Sequence, residues 1–185
     1  MRHALLIAAA MLALPGCNKG TVDEKNASVE QVAKAIAGAS SATRFTPGRW
    51  ETSVTVTGID APNLPPHALA GAQAAMGKAH LVATCLSPEE AAHPEKNFFS
   101  RDVKNCRYDH FTMSDGKIDA KMNCTSPQGV QSATMIGDYT PETYRMDMVT
   151  SMKVEGSQAM TMKLHAEGKR IGECDAATAG KVAAQ

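Results

Sequence analysis

Bulky side chains are scarce in this 185-residue chain. It has one Trp, three Tyr and four Phe, so aromatic residues make up only 4% of the sequence. Thirty alanines fill much of the apolar fraction, and eleven methionines supply part of the missing bulk. The length suits one domain of ordinary size, and a core with so few large residues needs additional stabilisation.

Net charge and recognisable catalytic motifs are missing too. The 19 basic side chains balance 19 acidic ones, which removes the electrostatic argument for nucleic acid or an anionic membrane surface as a partner. The chain lacks a Gly-x-Ser-x-Gly elbow, a His-Glu-x-x-His helix, a phosphate loop, a dinucleotide fingerprint and a Cys-x-x-Cys pair. We therefore expect no enzyme activity, no cofactor, no zinc and no nucleic-acid partner.

The N-terminus has the pattern of a lipoprotein signal. A basic start precedes an uncharged apolar run, Ala4 to Leu14, which is too short for a permanent transmembrane helix. Leu14-Pro15-Gly16-Cys17 then resembles a bacterial lipobox, so we expect residues 1–16 to be removed and Cys17 to carry lipid. Asn18 favours the outer membrane's periplasmic side over the inner membrane. A plain secretory signal with an accidental cysteine is the alternative.

Four further cysteines suit this oxidising compartment, namely Cys85, Cys106, Cys124 and Cys174. They allow three pairings, which strand register can rank. A three-residue loop at Ser114–Gly116 would place Cys106 opposite Cys124 and Thr112 opposite Ile118. We therefore predict the disulfide Cys106–Cys124, which leaves Cys85 and Cys174 for each other.

Residues 17–44 are predicted to connect the lipid to the domain. Positions 18–27 are small and polar, as in a flexible tether. Ser28 and Gln31 form a capping-box pattern at the start of a short helix that ends near Gly38. Its apolar stripe consists of Val29, Val32 and Ile36. The pattern leaves open whether this helix packs on the domain or stands apart from it.

Period-two alternation dominates residues 45–175, which we assign to one β domain followed by a tail at 176–185. Strands are expected near 49–56 and 80–86, with an alanine-rich helical segment between them. The later strands follow one another through short loops, each alternating apolar with polar side chains. The sequence predicts a mainly β (α+β) fold, a curved antiparallel meander of about six or seven strands whose apolar face is covered by short helices.

Methionines concentrate on one face of the last two predicted strands. The loop length places Met152 opposite Met160 and Met148 opposite Leu164. The thioethers collected on this face are Met146, Met148, Met152, Met160 and Met162. Methionine is an adaptable core filler, and the regular alternation favours that interpretation. With Trp50, the same residues are candidates for lining an apolar ligand or a partner protein, and soft thioethers also suit Cu(I).

The histidines offer no clear catalytic base. They are scattered along the chain at positions 3, 67, 80, 93, 110 and 165. Alternation places His165 on the wet face and His110 on the face of Cys106 and Tyr108, where it would be half-buried. We expect both to be structural.

Three short motifs occur in order along the domain. Phe45-Thr46-Pro47-Gly48-Arg49-Trp50-Glu51 opens it, Cys85-Leu86-Ser87-Pro88-Glu89 follows, and Arg170-Ile171-Gly172-Glu173-Cys174 closes it. Together with the cysteine pair between them, they resemble, over roughly residues 45–175, a family of exported proteobacterial proteins labelled only as a domain of unknown function. The resemblance implies an envelope location, two disulfides and a small β-rich fold, and it assigns no catalytic residue.

We expect a non-enzymatic envelope lipoprotein. Its β domain would serve as a binding or interaction module for an apolar small molecule or an envelope protein, with the membrane contacted through the lipid anchor. Periplasmic soft-metal binding through the methionine-rich hairpin is the alternative.

Overall fold

The computed structural model describes residues 20–39, 44–93, 105–127, 129–153 and 156–174. The elements within these ranges are β1 (Val22–Ser28), α1 (Val29–Gly38), β2 (Gly48–Asp60), α2 (Pro66–Met76), β3 (His80–Leu86), α3 (Pro88–Ala92), β4 (Cys106–Ser114), β5 (Lys117–Ser126), β6 (Gly129–Tyr139), β7 (Thr143–Lys153) and β8 (Met160–Gly172). The predicted signal peptide, Cys17 and the tail from 176 lie outside the described residues.

All eight strands form a single open sheet in the order β1-β4-β5-β6-β7-β8-β2-β3. Every pair is antiparallel, and β4 to β8 form a continuous meander. β2 then pairs with β8, while β1 and β3 lie at the two edges. The mainly β antiparallel prediction is confirmed, and the predicted number of six or seven strands is slightly too low.

The additional strand is β1, in the segment predicted to be a tether. Val22 and Ala27 are buried, and β1 pairs with β4 over nearly its whole length. The tether prediction is therefore wrong for Val22–Ser28. The sequence did not indicate this strand, because the charged residues between the two buried positions, Asp23, Glu24 and Lys25, resemble those of a solvated linker.

Helix α1 packs on the sheet, which decides the alternative that the sequence left open. The Ser28 hydroxyl accepts from the Gln31 amide at 3.2 Å, and the Gln31 side chain accepts from the Ser28 amide at 2.7 Å. This capping box starts the helix where its apolar stripe meets β4. Val29 and Val32 are fully buried and Phe111 of β4 is 2% exposed, so these three residues form the centre of the core.

The other two helices cover very little. Neither α2 nor α3 has a buried residue, although Gln73 of α2 donates to the Ile59 carbonyl at 3.2 Å. Alanine and glycine dominate α2, and its Met76 is 37% exposed. The prediction that short helices cover the apolar face therefore holds only for α1. No helix in the described part of the chain is both long and apolar enough to span a bilayer.

The β4–β5 hairpin differs from the predicted one in two places that compensate. The turn has two residues, Asp115 and Gly116, both with positive φ, rather than three. A bulge between Tyr108 and His110 then shifts the register by one residue. Cys106 consequently still lies opposite Cys124, while Thr112 faces Asp119 instead of the predicted Ile118.

The bulge also changes the face on which His110 lies. His110 pairs with Lys121 on the outer face, opposite to the face predicted from strict alternation. Its Nε2 lies 3.0 Å from an Asp119 carboxylate oxygen. Phe111 takes the inner position, which explains how a large aromatic side chain reaches the α1 contact.

Both predicted disulfides are present. Cys106–Cys124 joins the neighbouring strands β4 and β5. Cys85–Cys174 joins β3 to the segment just after β8. It therefore bridges across β2, which lies between these two strands. The first disulfide cross-links two strands of the meander. The second cross-links the edge strand β3 to the end of β8.

The opening and closing motifs meet at one end of the sheet. The Arg170 guanidinium donates to the Pro47 carbonyl at 2.7 Å and pairs with Glu173. Gly48 has φ +140° and passes so close to the Gly172 carbonyl and the Arg170 side chain that a Cβ would collide with both. These motif residues therefore fix the fold.

Candidate functional site

Among the residues that the structure describes, α1 covers one face of the sheet only on its β1–β4 side. We call that face the inner face. Helix α1 packs over β1, β4 and the adjoining part of the sheet, with Met135 and Met146 at the border of its core. Beyond that border lies an "open apolar face", defined by Val54, Val56, Ile59, Val82, Met148, Met152, Met160, Met162 and Leu164. None of these nine side chains is buried.

Strand register holds the open apolar face together. Met152 lies opposite Met160 and Met148 opposite Leu164, as the loop lengths predicted. Val56 of β2 lies opposite Leu164 on its other side. Because directly opposed residues share a face, β7, β8 and β2 present these apolar side chains on one surface, in which Thr150 lies between Met148 and Met152 on β7.

The methionines on this surface are not core residues. Met152 is 44% exposed and Met160 is 37% exposed, so the interpretation of both as core filler is wrong. Met146 does pack against the core, and the methionine that is buried, Met113, lies on β4 beneath α1. The methionines of the open apolar face are exposed because α1 covers the β1–β4 side of the sheet and α2 has too little bulk to cover the rest.

Trp50 belongs to the core and not to an accessible lining. It is only 4% exposed, and its indole nitrogen donates to the Thr46 carbonyl at 3.0 Å. Its ring centroid lies 5.3 Å from that of Phe45 and 6.0 Å from that of Tyr144. This aromatic cluster makes Trp50 a core residue, which removes it from the predicted ligand lining.

The aromatic cluster ends the open apolar face on one side. Tyr144 covers Gly168, at which a Cβ would collide with the phenol ring. The Tyr144 hydroxyl lies 2.8 Å from the Thr52 hydroxyl on β2. The open apolar face therefore extends from this closed end toward the opposite end of β7 and β8, where Met152 and Met160 lie.

The outer face carries a charged network around His165. Its Nδ1 lies 2.6 Å from an Asp147 oxygen and its Nε2 lies 3.2 Å from a Glu167 oxygen, to which Arg145 also donates at 2.7 Å. The hydrogen bonds to Asp147 and Glu167 raise the pKa of His165, and those from His165 and Arg145 lower the pKa of Glu167. Both ring nitrogens are engaged, so this imidazole has the environment of an ion-pair partner and not of a free base.

A shallow depression of about 510 Å³ lies beside this network. Acidic and basic side chains alternate around it, among them Glu51, Asp138, Arg145, Glu167 and Lys169. Such a mixed lining selects no single charge. Within the described ranges, no three His, Cys, Asp or Glu side chains form a group that could hold a metal ion.

A family model described as "Protein of unknown function (DUF3617)" matches residues 45–174, which is most of the chain. The protein belongs to this family. Neither a curated protein nor a solved structure matches the chain. The DUF3617 match includes β2 to β8 and the three motifs, whereas β1 and α1 precede it. Helix α1, which covers part of the inner face, therefore lies outside the range that the family model matches.

Sequence reasoning identified the methionines of the site but missed its aliphatic members. Val54 and Val56 lie on the strand predicted near 49–56, yet nothing in the sequence indicated that β2 pairs with β8. The pairing of Val56 with Leu164 is a contact between residues more than a hundred positions apart. The outward position of His165 was predicted, while its carboxylate partners follow only from the pairing of β7 with β8.

Proposed function

We propose that this protein is a lipid-anchored component of the bacterial cell envelope that binds an apolar ligand on the open apolar face and catalyses no reaction. One observation carries the proposal: apolar side chains of β7, β8 and β2 adjoin one another on the part of the inner face that α1 does not cover. The lipobox-like Cys17 motif and the two disulfides support placement in an oxidising compartment.

The open apolar face differs from ordinary protein surface because its apolar side chains adjoin one another. Single exposed apolar side chains are normal, whereas contiguous apolar patches mark binding surfaces. Val130, Ile136 and Val149, on the outer face, illustrate the first case, because each is exposed among polar neighbours. The inner-face residues Met148, Met162 and Leu164 instead adjoin one another along β7 and β8.

The composition of this face favours a flexible apolar chain as ligand. Methionine has an unbranched, polarizable side chain that adapts to irregular apolar shapes. The span from Met160 to Leu164 along β8 measures about 13 Å at the usual strand rise. No charged side chain belongs to the defined face. A fatty acyl chain matches this surface in chemistry and dimensions, so dodecanoate is a suitable probe.

Met160→Asp is expected to weaken dodecanoate binding at least about tenfold, because a charged group would lie within the ligand's contact surface and would repel the ligand's own carboxylate. Displacement of a fluorescent naphthylamine dye measures the affinity. Val149→Asp is the matched control, since Val149 is also 37% exposed but lies on the outer face. Equal loss in both variants, or no binding by the unsubstituted protein, would contradict the proposed function.

The anchor makes a separate prediction. Cells fed an alkyne-bearing fatty acid should label the wild-type protein, and Cys17→Ser should remain unlabelled, because the thiol is the expected acceptor of the diacylglycerol. A wild-type protein that stays unlabelled and fractionates away from membranes would contradict lipid anchoring without affecting the binding proposal.

A further inference from the structure

We infer that the β7–β8 hairpin also holds a binding site for a soft monovalent metal ion, Cu(I) or Ag(I), formed by the thioether sulfurs of Met152, Met160 and Met162. The inference stands independently of the apolar ligand. It rests on strand register, exposure and ligand chemistry.

Strand register brings the three residues within reach of one ion. Met152 lies directly opposite Met160, and Met162 lies opposite Thr150, one step further along the same face. Opposed residues have Cβ atoms about 5 Å apart, and diagonal neighbours about 7–8 Å. Met162 is diagonal to Met152, so three long side chains surround one point on the inner face.

Exposure allows an ion to enter without opening the fold. Met152 and Met160 are 44% and 37% exposed, and Met162 is partly exposed. Methionine has three rotatable side-chain bonds, so the sulfurs can converge while the strands keep their register. In contrast, Met113 lies under α1 and could not reach an ion in solvent.

Donor chemistry selects the ion. Thioethers are soft, neutral donors that prefer Cu(I) to hard cations. The inner-face residues opposite Met152 and Met162 are Gln131 and Thr150, which bring no carboxylate or imidazole to compete. Cys85, Cys106, Cys124 and Cys174 are paired in disulfides, so none of these four offers a thiolate. A set of three thioethers is therefore the soft-donor group that this part of the sheet provides.

Titration with silver nitrate in chloride-free buffer tests the site, because Ag(I) mimics Cu(I) without reducing the disulfides. Each protein is the full chain with Cys17→Ser, which removes the remaining thiol. We expect saturation at one ion per chain, with Met152→Leu and Met160→Leu each weakening binding at least about tenfold. Leucine conserves volume and apolar character, so both variants should fold normally.

Met76→Leu is the matched control, since Met76 has the same 37% exposure as Met160 but stands alone on α2. It should leave silver binding unchanged. Binding without saturation, or loss shared equally by Met76→Leu, would overturn the inference, as would leucine variants that bind silver like the parent. Because dodecanoate binding by the unsubstituted protein is measured separately, failure of the metal site and failure of the proposed function give different results.

Discussion

Replacing both Cys85 and Cys174 with alanine is expected to lower the free energy of unfolding by about 4–5 kcal/mol. The two residues are 89 positions apart, so the bridge closes a loop that spans most of the DUF3617 match. Removing it releases a large conformational entropy in the unfolded chain. In the folded state the bridge also fastens β3, an edge strand that has β2 as its partner.

The second disulfide provides the control. Cys106 and Cys124 are 18 positions apart, so the same double alanine replacement should cost about 3 kcal/mol. Cys106 is buried, whereas Cys85 and Cys174 are half-buried, so lost packing alone would give the reverse order. Urea unfolding of both variants under non-reducing conditions measures the difference. A larger loss for the Cys106–Cys124 variant would contradict the loop-closure account.

Val32→Asp is expected to lower the free energy of unfolding by about 3–5 kcal/mol. Val32 is fully buried against β4, so the substitution loses apolar burial and places a carboxylate where the described neighbours are apolar. The expected result is large because α1 supplies the cover for the centre of the core. Chemical denaturation followed by circular dichroism measures it.

Lys34→Asp is the control for Val32→Asp, since it introduces the same side chain into the same helix at an exposed position. It should lower the free energy of unfolding far less than Val32→Asp does, because it disturbs only a surface pair with Glu30. Similar stability of the two variants would show that α1 is not part of the folded unit. The alternative that this helix stands apart from the domain would then hold.

Local periodicity was sufficient to predict the meander. Alternation together with loop length gave the pairing of Met148 with Leu164 and of Met152 with Met160, because a short hairpin loop determines register directly. The same logic failed in β4, where strict alternation was continued across Asp109 and His110, two consecutive polar residues at which a bulge moves Phe111 to the face of Tyr108. The disulfide prediction survived because this error and the error in the turn length cancel.

Contacts between distant segments could not be predicted from periodicity. β1 has one buried residue near each end and charged residues between them, so its strand character depends on β4. Alternation also showed which face carries Met148 and Met160, yet it cannot show what lies over that face. Cover depends on where α1 docks and on how little bulk α2 provides, and both are tertiary properties.

Methionine-methyl NMR tests most directly whether the open apolar face binds a ligand. Protein labelled with [methyl-¹³C]methionine is titrated with dodecanoate, and the signals are assigned by single Met→Leu variants. The account predicts concentration-dependent shifts for Met148, Met152, Met160 and Met162, while buried Met113 and the equally exposed but isolated Met76 stay unchanged. Shifts of Met76 with the same midpoint, or an unperturbed β7–β8 hairpin, would contradict a ligand-binding open apolar face.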